Sequence, residues 1–241
     1  VSASDITTKQ ASDFVTHVDR ESEELIKNTI KNDFPDHRIL AEESDKDASD
    51  GTYRWIIDPL DGTTNFIHGY PVFSVSIALE SKGDIILGVI FDPLRNEIFS
   101  AEKGKGAYLN GKPISVSTIK DLTFSLIATG FPFRQKDVID DYLKLFKNIF
   151  YRVSDIRRAG SAALDLANLA SGRCDGFFEI GLSPWDIAAG SIIIREAGGI
   201  VSDFGGSDQF LKTGNVVAAN RELHDALLTE VRTVFHKTLN N

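Results

Sequence analysis

The sequence predicts a layered α/β protein with mixed β-sheets. Its first half is dominated by apolar and β-branched runs with period-two alternation, which is typical of strands. In its second half, segments with helical periodicity alternate with short strand-like runs. The 241 residues, 42% of them hydrophobic, suffice for a substantial core. Because the pattern changes near residue 122, we predict two parts, 1–122 and 123–241, that share a core.

The predicted elements of the first half are one helix and a series of strands. Residues 19–33 place apolar side chains at 25, 26 and 30 among charges, which predicts an amphipathic helix that ends before Pro35. "HRILAEES" predicts a strand that ends at two glutamates. "YRWIIDP" predicts a second strand, closed by Pro59. The alternating residues 72–111 predict an antiparallel meander.

The second half contains four predicted helices and three predicted strands. The helices cover residues 137–150, 161–172, 184–199 and 221–236, and Gly172 and Gly198 follow the periodic part of two of them. The strands are "RCDGFFEI", "GIVSDF" and "NVVAAN". Pro184 suits the first turn of a helix, where its missing N–H has no partner in any case.

The net charge and the amino-acid composition limit the classes of molecule that the protein is expected to bind. A formal net charge of −9 argues against nucleic acid, whose phosphates require basic patches. No apolar stretch approaches the roughly 20 residues that span a bilayer, and no secretory signal is recognisable at the start. Cys174 is the only cysteine, so no intramolecular disulfide can form. We therefore expect a cytoplasmic protein without membrane or direct nucleic-acid contacts.

Acidic residues stand at the ends of apolar elements. Glu42 and Glu43 end one predicted strand, Asp58 and Asp61 end another, and Asp186 opens a helix. Each alone could be a solvated turn residue, and the D-x-x-D-G pattern is common in turns. Acidic residues at the ends of apolar strands would nevertheless lie close together, and protons or a metal ion must then relieve their electrostatic repulsion.

The residue types available as ligands limit which metal ion the site could bind. The five histidines are scattered and show no zinc-like spacing with cysteine. Carboxylate oxygens favour a hard cation, and Mg²⁺ precedes Ca²⁺ where phosphate is involved. The following "GTTNF" offers a glycine and backbone N–H groups at a predicted helix start, a suitable place for phosphate. The sequence therefore predicts a site for a metal ion and a phosphate group.

Two signatures together carry a family resemblance. "WIIDPLDGTTNF" and "PWDIAAGSIIIREAGG", with "AEES" before them and "GSAALDLA" between, resemble the inositol monophosphatase family of Mg²⁺-dependent, lithium-sensitive phosphatases. The resemblance runs from about Lys9 to Asn220. It implies the sugar-phosphatase fold, an α+β protein layered as an αβαβα sandwich with mixed, largely antiparallel sheets. Family members usually carry about a helix and a turn more before Lys9, so we expect such a segment to be either missing or disordered here.

The resemblance also implies a set of site residues. Two or three Mg²⁺ ions would be bound by Glu42, Asp58, the carbonyl of Leu60, Asp61 and Asp186. The catalytic residues would be Glu42, Thr63 and Asp61, with Thr63 hydrogen-bonded to Glu42 to position the attacking water. Substrate would contact Glu42, Asp61, the amides of Gly62 and Thr63, Gly160, Ser161, Ala162, Glu179 and Asp186.

Other positions are open to two interpretations. Lys9 and Asp19 match positions on or near the mobile active-site loop of the family. Arg157 and Arg158 could face an anionic substrate or be solvated. Trp185 is interpreted as a packing residue that orients its neighbour Asp186.

The function implied is hydrolysis of inositol 1-phosphate by metal-activated water, in a homodimer. Fructose 1,6-bisphosphate, histidinol phosphate and adenosine 3′,5′-bisphosphate are alternative substrates, and a protein that also uses fructose bisphosphate stays possible. A different class of function is binding within a transcription complex, as is thought for some bacterial relatives.

Overall fold

The computed structural model describes residues 6–10, 13–44 and 51–235, with side chains from residue 16 onward. Its strands form one two-stranded hairpin, one seven-stranded sheet and one five-stranded sheet. The hairpin pairs β1 (Ile6–Gln10) with β2 (Asp13–Thr16). The seven-stranded sheet contains, in spatial order, β3 (Arg38–Ala41), β4 (Tyr53–Asp61), β5 (Ser74–Ser81), β6 (Asp84–Asp92), β7 (Glu97–Glu102), β8 (Ala107–Leu109) and β9 (Lys112–Ile114). In this sheet only the pairing of β3 with β4 is parallel.

The five-stranded sheet is mixed and has the order β11-β10-β12-β14-β13. Its strands are β10 (Leu126–Thr129), β11 (Asp155–Arg157), β12 (Gly176–Glu179), β13 (Ile200–Ser202) and β14 (Val216–Ala219). The helices are α1 (His17–Asp33), α2 (Thr63–Ile67), α3 (Ile139–Phe150), α4 (Ala162–Ala170), α5 (Pro184–Glu196), α6 (Phe210–Thr213) and α7 (Arg221–Phe235). Short 3-10 turns lie at Leu122–Phe124 and Lys136–Val138.

The elements stack in five layers. Helix α1 packs on β4 at the outer face of the large sheet. Helices α4 and α5 contact each other and lie between the sheets, against β5, β6 and β7 on one side and β10, β12 and β13 on the other. Helices α3 and α7 pack together over the far face of the small sheet. This arrangement confirms the αβαβα sandwich with mixed, largely antiparallel sheets.

The main core fills the layer around α4 and α5, and it contains side chains from both sheets. Small residues let these elements approach closely. A Cβ added to Gly88 in β6 would lie 2.7 Å from the carbonyl oxygen of Ala189 in α5. One added to Gly190 would lie 2.6 Å from Leu166 in α4. The middle layer therefore holds the beginnings of α4 and α5, which carry site residues, in fixed positions. The predicted division at residue 122 stays a prediction.

Most predicted elements are present, with some corrections. Strand β4 does not close at Pro59 but continues to Asp61, because an irregular pairing accommodates the proline. Leu25, predicted on the apolar face of α1, is 70% exposed, whereas Ile26 and Ile30 pack against the sheet. Strands β1, β2, β9, β10 and β11 were not predicted. Within the part of the chain described here, no helix has the length and apolar character to cross a membrane.

Candidate active site and metal centre

A bulge in β4 brings the two aspartates of the D-x-x-D motif to one face of the sheet. Asp58 pairs with Ser76 of β5, and Asp61 pairs with Ser74. Three residue steps on β4 thus match two steps on β5, so β4 contains one extra residue. Since alternate residues of β5 point to the same face, their partners Asp58 and Asp61 do so too. The backbone N–H of Leu60 donates to Asp58 Oδ1 at 3.0 Å, which holds the bulge.

Three carboxylates converge at this point. One oxygen from each of Asp58, Asp61 and Asp186 lies within 4.8 Å of the others, and all three side chains are buried. Asp186 lies in the first turn of α5, where its Oδ2 accepts the backbone N–H of Ser183 at 2.7 Å. Glu42 follows β3 directly and raises the pKa of Asp58 by its charge, so it belongs to the same cluster.

The cluster is electrostatically unfavourable without a cation. Burial raises the pKa of Asp58 well above its ordinary value, and the neighbouring carboxylates raise it further. Burial, followed by the charge of Asp186, raises the pKa of Asp61 from 3.8 to about 6. The donor set consists of oxygens alone, which suits a hard divalent cation such as Mg²⁺.

The start of α4 supports Asp61. Its Oδ2 accepts a hydrogen bond from the Ser161 hydroxyl and another from the backbone N–H of Ala163 at 2.9 Å. These hydrogen bonds lower the pKa of Asp61 and partly oppose the effect of burial. Ser161 also caps α4 by accepting from the N–H of Leu164. The Ser161 side chain therefore orients Asp61, and the predicted substrate contact of the Gly160–Ala162 turn stays a prediction.

Gly62 and Asn65 shape the turn after the bulge. Gly62 has φ +92°, a left-handed conformation that favours glycine, and an added Cβ would lie 2.9 Å from the carbonyl oxygen of Val72. The Asn65 amide donates to that same oxygen at 2.8 Å and to the carbonyl of Ala159 at 2.9 Å. This link joins α2 to the Gly160 turn before α4.

One polar face of α1 supports the site from the other side of the sheet. Asp19, Ser22 and Glu23 follow the i, i+3, i+4 spacing of neighbours on a helix surface. The Ser22 hydroxyl donates to the carbonyl of Pro59 in the bulge at 3.1 Å. Glu23 accepts the backbone N–H of Glu43 at 2.8 Å, next to the predicted ligand Glu42. The side chains of Asp19 and Glu23 are both buried.

Thr63 is bound to a different partner from the predicted one. Its hydroxyl lies 3.0 Å from Asp19 Oδ1 and 3.1 Å from the carbonyl oxygen of Leu60. The other carboxylate oxygen of Asp19 accepts from Thr16 at the N-terminus of α1, which fixes its orientation. Among the described contacts, therefore, Asp19 and not Glu42 binds the Thr63 hydroxyl. Sequence spacing could not reveal this, because the two residues are 44 positions apart.

Two more buried acids line the cleft that contains the carboxylate cluster. Glu179 ends β12, and Asp165 lies in the first turn of α4. Burial raises the pKa of both groups well above their ordinary values, and Arg158 partly opposes this rise. Gly130 makes room for Glu179, because an added Cβ would lie 2.0 Å from Glu179 Oε1.

Two arginines line the cleft. Arg158 lies over the ring of Phe131, with 5.9 Å from its Cζ to the ring centroid. Arg134 lies 3.8 Å from Glu42 Oε1 and 3.6 Å from Asp186 Oδ2. Arg157 is exposed and paired with Asp155, so of the two consecutive arginines only Arg158 faces the cleft.

A single cleft of about 260 Å³ collects these groups. All the predicted site residues line it: Glu42, Asp58, Leu60, Asp61, Gly62, Thr63, Gly160, Ser161, Ala162, Glu179 and Asp186. Lys9 lies in β1, and its side chain is outside the described part of the chain. Sequence reasoning did not select Asn65, Asp165 or Arg134, although "TTNF" and "SAALD" lie inside the motifs that were found.

Comparison with known proteins identifies the family. A family model described as the inositol monophosphatase family matches residues 2–236. The chain belongs to the inositol monophosphatase family. This match confirms the resemblance carried by the two aspartate signatures. Family membership supports a phosphatase, and the buried triad of aspartates could hold its metal.

Similar proteins are known in several bacteria. Nus factor SuhB of Escherichia coli (strain K12) is 49% identical over 231 residues, which cover 95% of this chain and 86% of that protein. The extragenic suppressor protein suhB from Bartonella henselae has a TM-score of 0.91 at 43% identity, covering 94% of this chain and 89% of that one. Inositol monophosphatase from Anabaena has a TM-score of 0.86 at 44% identity, covering 90% and 86%. These structures have the inositol monophosphatase fold.

Proposed function

We propose that the protein is a Mg²⁺-dependent phosphomonoesterase that hydrolyses inositol 1-phosphate to inositol and phosphate. The observation that carries the proposal is the buried carboxylate cluster of Asp58, Asp61 and Asp186, which shares one cleft with Thr63. The Thr63 hydroxyl is bound in turn to Asp19. Glu42 and the carbonyl of Leu60 complete the proposed ligand set. Bound Mg²⁺ would supply positive charge for the phosphate and would lower the pKa of water.

Thr63 is proposed to orient the attacking water. Its hydroxyl has one proton, and Asp19 Oδ1 at 3.0 Å accepts it. The hydroxyl oxygen is then able to accept a hydrogen bond from water and to turn a water lone pair toward phosphorus. Asp19 is a positioning residue in this proposal, since it acts through Thr63. Glu42 is assigned to the metal.

The turn after β4 is proposed to hold the phosphate. Gly62 and Thr63 begin α2, and the first N–H groups of a helix have no acceptor within it. The left-handed conformation of Gly62 turns the chain at this point, directly after the ligand Asp61. Phosphate oxygens would thus lie between the amides on one side and the carboxylate-bound cations on the other.

A polyol fits the part of the cleft that Glu179 and Asp165 line. Glu179 and Asp165 offer carboxyl oxygens to hydroxyl groups, and the Gly160–Ala162 turn lines the same cleft. A second phosphate would meet two buried acids there, which disfavours the bisphosphates. This is why inositol 1-phosphate ranks above fructose 1,6-bisphosphate and adenosine 3′,5′-bisphosphate.

Phosphate release from inositol 1-phosphate, fructose 1,6-bisphosphate, histidinol phosphate and adenosine 3′,5′-bisphosphate tests the proposal, with and without Mg²⁺. We expect Mg²⁺-dependent release, fastest with inositol 1-phosphate. Asp61→Asn should reduce the rate by orders of magnitude with the fold intact, whereas Asp84→Asn, on the exposed surface of β6, should not change it. Release that is independent of Mg²⁺ on every substrate would contradict the assignment.

A second candidate function is binding within a transcription complex. The E. coli relative with 49% identity is named a Nus factor, which favours this candidate. A pull-down with RNA polymerase components, comparing wild type with Asp61→Asn, separates the two functions. Equal capture by both proteins supports binding that is independent of catalysis, and no capture by wild type excludes this candidate. A homodimer and lithium inhibition stay predictions, for light scattering and for inhibition assays respectively.

A further inference from the structure

We propose that Arg134 is a built-in counter-cation of the metal centre, which binds the ligand carboxylates when metal is absent and competes with the metal for them. The inference rests on the proposed function only in taking Glu42 and Asp186 as metal ligands. It assigns to this arginine a role in setting the metal concentration at which the site fills.

The geometry of Arg134 matches two ligands at once. Its Nη2 lies 3.8 Å from Glu42 Oε1, and its Nη1 lies 3.6 Å from Asp186 Oδ2. The two acids come from different layers, one after β3 and the other at the start of α5. A guanidinium has a fixed fork of donors, so a single side chain can bridge both carboxylates.

The two ion pairs of Arg134 are short enough for electrostatic attraction and long enough for a metal ion to displace the guanidinium. Both distances exceed the roughly 3.2 Å of a direct N–H···O hydrogen bond, so Arg134 makes ion pairs and not a bidentate clamp. The carboxylates are 11% and 7% exposed, while the Arg134 side chain is 31% exposed. Arg134 can therefore leave toward solvent, whereas the acids cannot.

Arg134 also has an interaction partner outside the carboxylate cluster. It stands on the segment after β10, and its Cζ lies 4.7 Å from the centroid of the neighbouring Phe133 ring. A guanidinium over an aromatic face is stabilised by the negative potential of the ring. If Arg134 left the carboxylates, its guanidinium would still be stabilised by the ring of Phe133, its neighbour in the sequence.

Charge balance explains why the two cations exclude each other. The cluster holds four carboxylates, and a divalent ion and a guanidinium a few ångströms apart repel each other. Without metal, the arginine reduces the repulsion among the acids. With metal, its pairs with Glu42 and Asp186 must weaken. Removing it should thus strengthen metal binding and destabilise only the metal-free protein.

The test compares wild type with Arg134→Gln, Arg134→Lys and Arg158→Gln, without substrate. Mn²⁺ binding is measured by electron paramagnetic resonance and Mg²⁺ binding by calorimetry. Each partly exposed ion pair is worth about a factor of two to five, so Arg134→Gln should bind both ions about fivefold more tightly. Arg134→Lys should stay near wild type. Arg158→Gln is the matched control, because it removes a guanidinium of the same cleft that lies over Phe131; it should shift the affinity less.

Thermal unfolding with EDTA and with saturating Mg²⁺ adds a second readout. Arg134→Gln should lower the Tm in EDTA and leave the Tm in Mg²⁺ near wild type. Unchanged or weaker metal binding by Arg134→Gln would overturn the inference, as would an equal gain in Arg158→Gln. If wild type hydrolyses phosphate esters with Mg²⁺ but Arg134→Gln binds metal equally well, this inference alone fails. If wild type binds no divalent cation, the proposed function fails with it.

Discussion

Replacing Asp61 by asparagine in the metal-free protein should increase its stability at neutral pH. Asp61 is buried beside Asp186, and its carboxylate form is therefore unfavourable in the folded state. Asparagine has nearly the same shape, and its Oδ1 can still accept from Ser161 and Ala163, whose hydrogen bonds hold the aspartate. The variant thus removes a charge without removing the supporting contacts.

The sign and the size of the effect follow from the pKa. The pKa of Asp61 rises from 3.8 to about 6 on folding, so the folded state keeps a proton that the unfolded state has lost. Folding stability from this group consequently falls as the pH rises, beginning near 4 and ending near 7. A rise from 3.8 to about 6 corresponds to about 3 kcal/mol, as an order of magnitude.

Urea denaturation in EDTA at several pH values measures this effect. We expect wild type and Asp61→Asn to be nearly equal at pH 4, and the variant to be more stable by about 1–3 kcal/mol at pH 8. Asp84→Asn, an exposed acid on β6, should show no such trend. A gap of the same size at both pH values, or a less stable variant at pH 8, would refute the electrostatic reasoning. Saturating Mg²⁺ should reverse the order, because only wild type retains the complete ligand set.

Three further substitutions test the support of the site. Thr63→Val should reduce kcat at least 100-fold with little change in KM or Tm, since the hydroxyl that binds Asp19 is lost; steady-state kinetics beside Thr63→Ser would detect this, and a normal kcat would exclude the proposed water-orienting role. Gly88→Ala should destabilise the fold by about 1–3 kcal/mol, because its Cβ would overlap the backbone of α5; an unchanged urea midpoint would contradict the packing. Gly130→Ala should raise KM for inositol 1-phosphate severalfold by displacing Glu179; an unchanged KM would remove Glu179 from substrate contact.

The predicted part of the fold is the part with strong periodicity. The meander and the long helices have apolar patterns that local sequence specifies. Strands β10 and β11 have four and three residues, too few for a period to be recognised. Their place in the sheet depends on pairing with each other and with β12. Such contacts between distant segments leave no local pattern.

The same distinction holds for the candidate site. Glu42, Asp58 and Asp61 were found because acids that end apolar strands are unusual. The partner of Thr63 was wrongly predicted, because Asp19 reaches it only through the packing of α1 beneath β4. Glu23 was not selected as a site residue, but it is buried, and its carboxylate accepts a hydrogen bond from the N–H of Glu43. A charged residue on a helix that packs next to a strand end should therefore also be considered as a buried hydrogen-bonding partner.

The bulge in β4 makes the spacing of the D-x-x-D motif a matter of strand register and not of loop length. Pro59 and Leu60 together face the single residue between Ser74 and Ser76. In a regular strand, residues three positions apart point to opposite faces, so without the bulge Asp61 would point toward α1 and away from Asp186. A one-residue change of register that removed the bulge would thus keep every strand and yet divide the acids between two sides of the molecule. Between these two aspartates the extra residue of the bulge decides whether the acids meet.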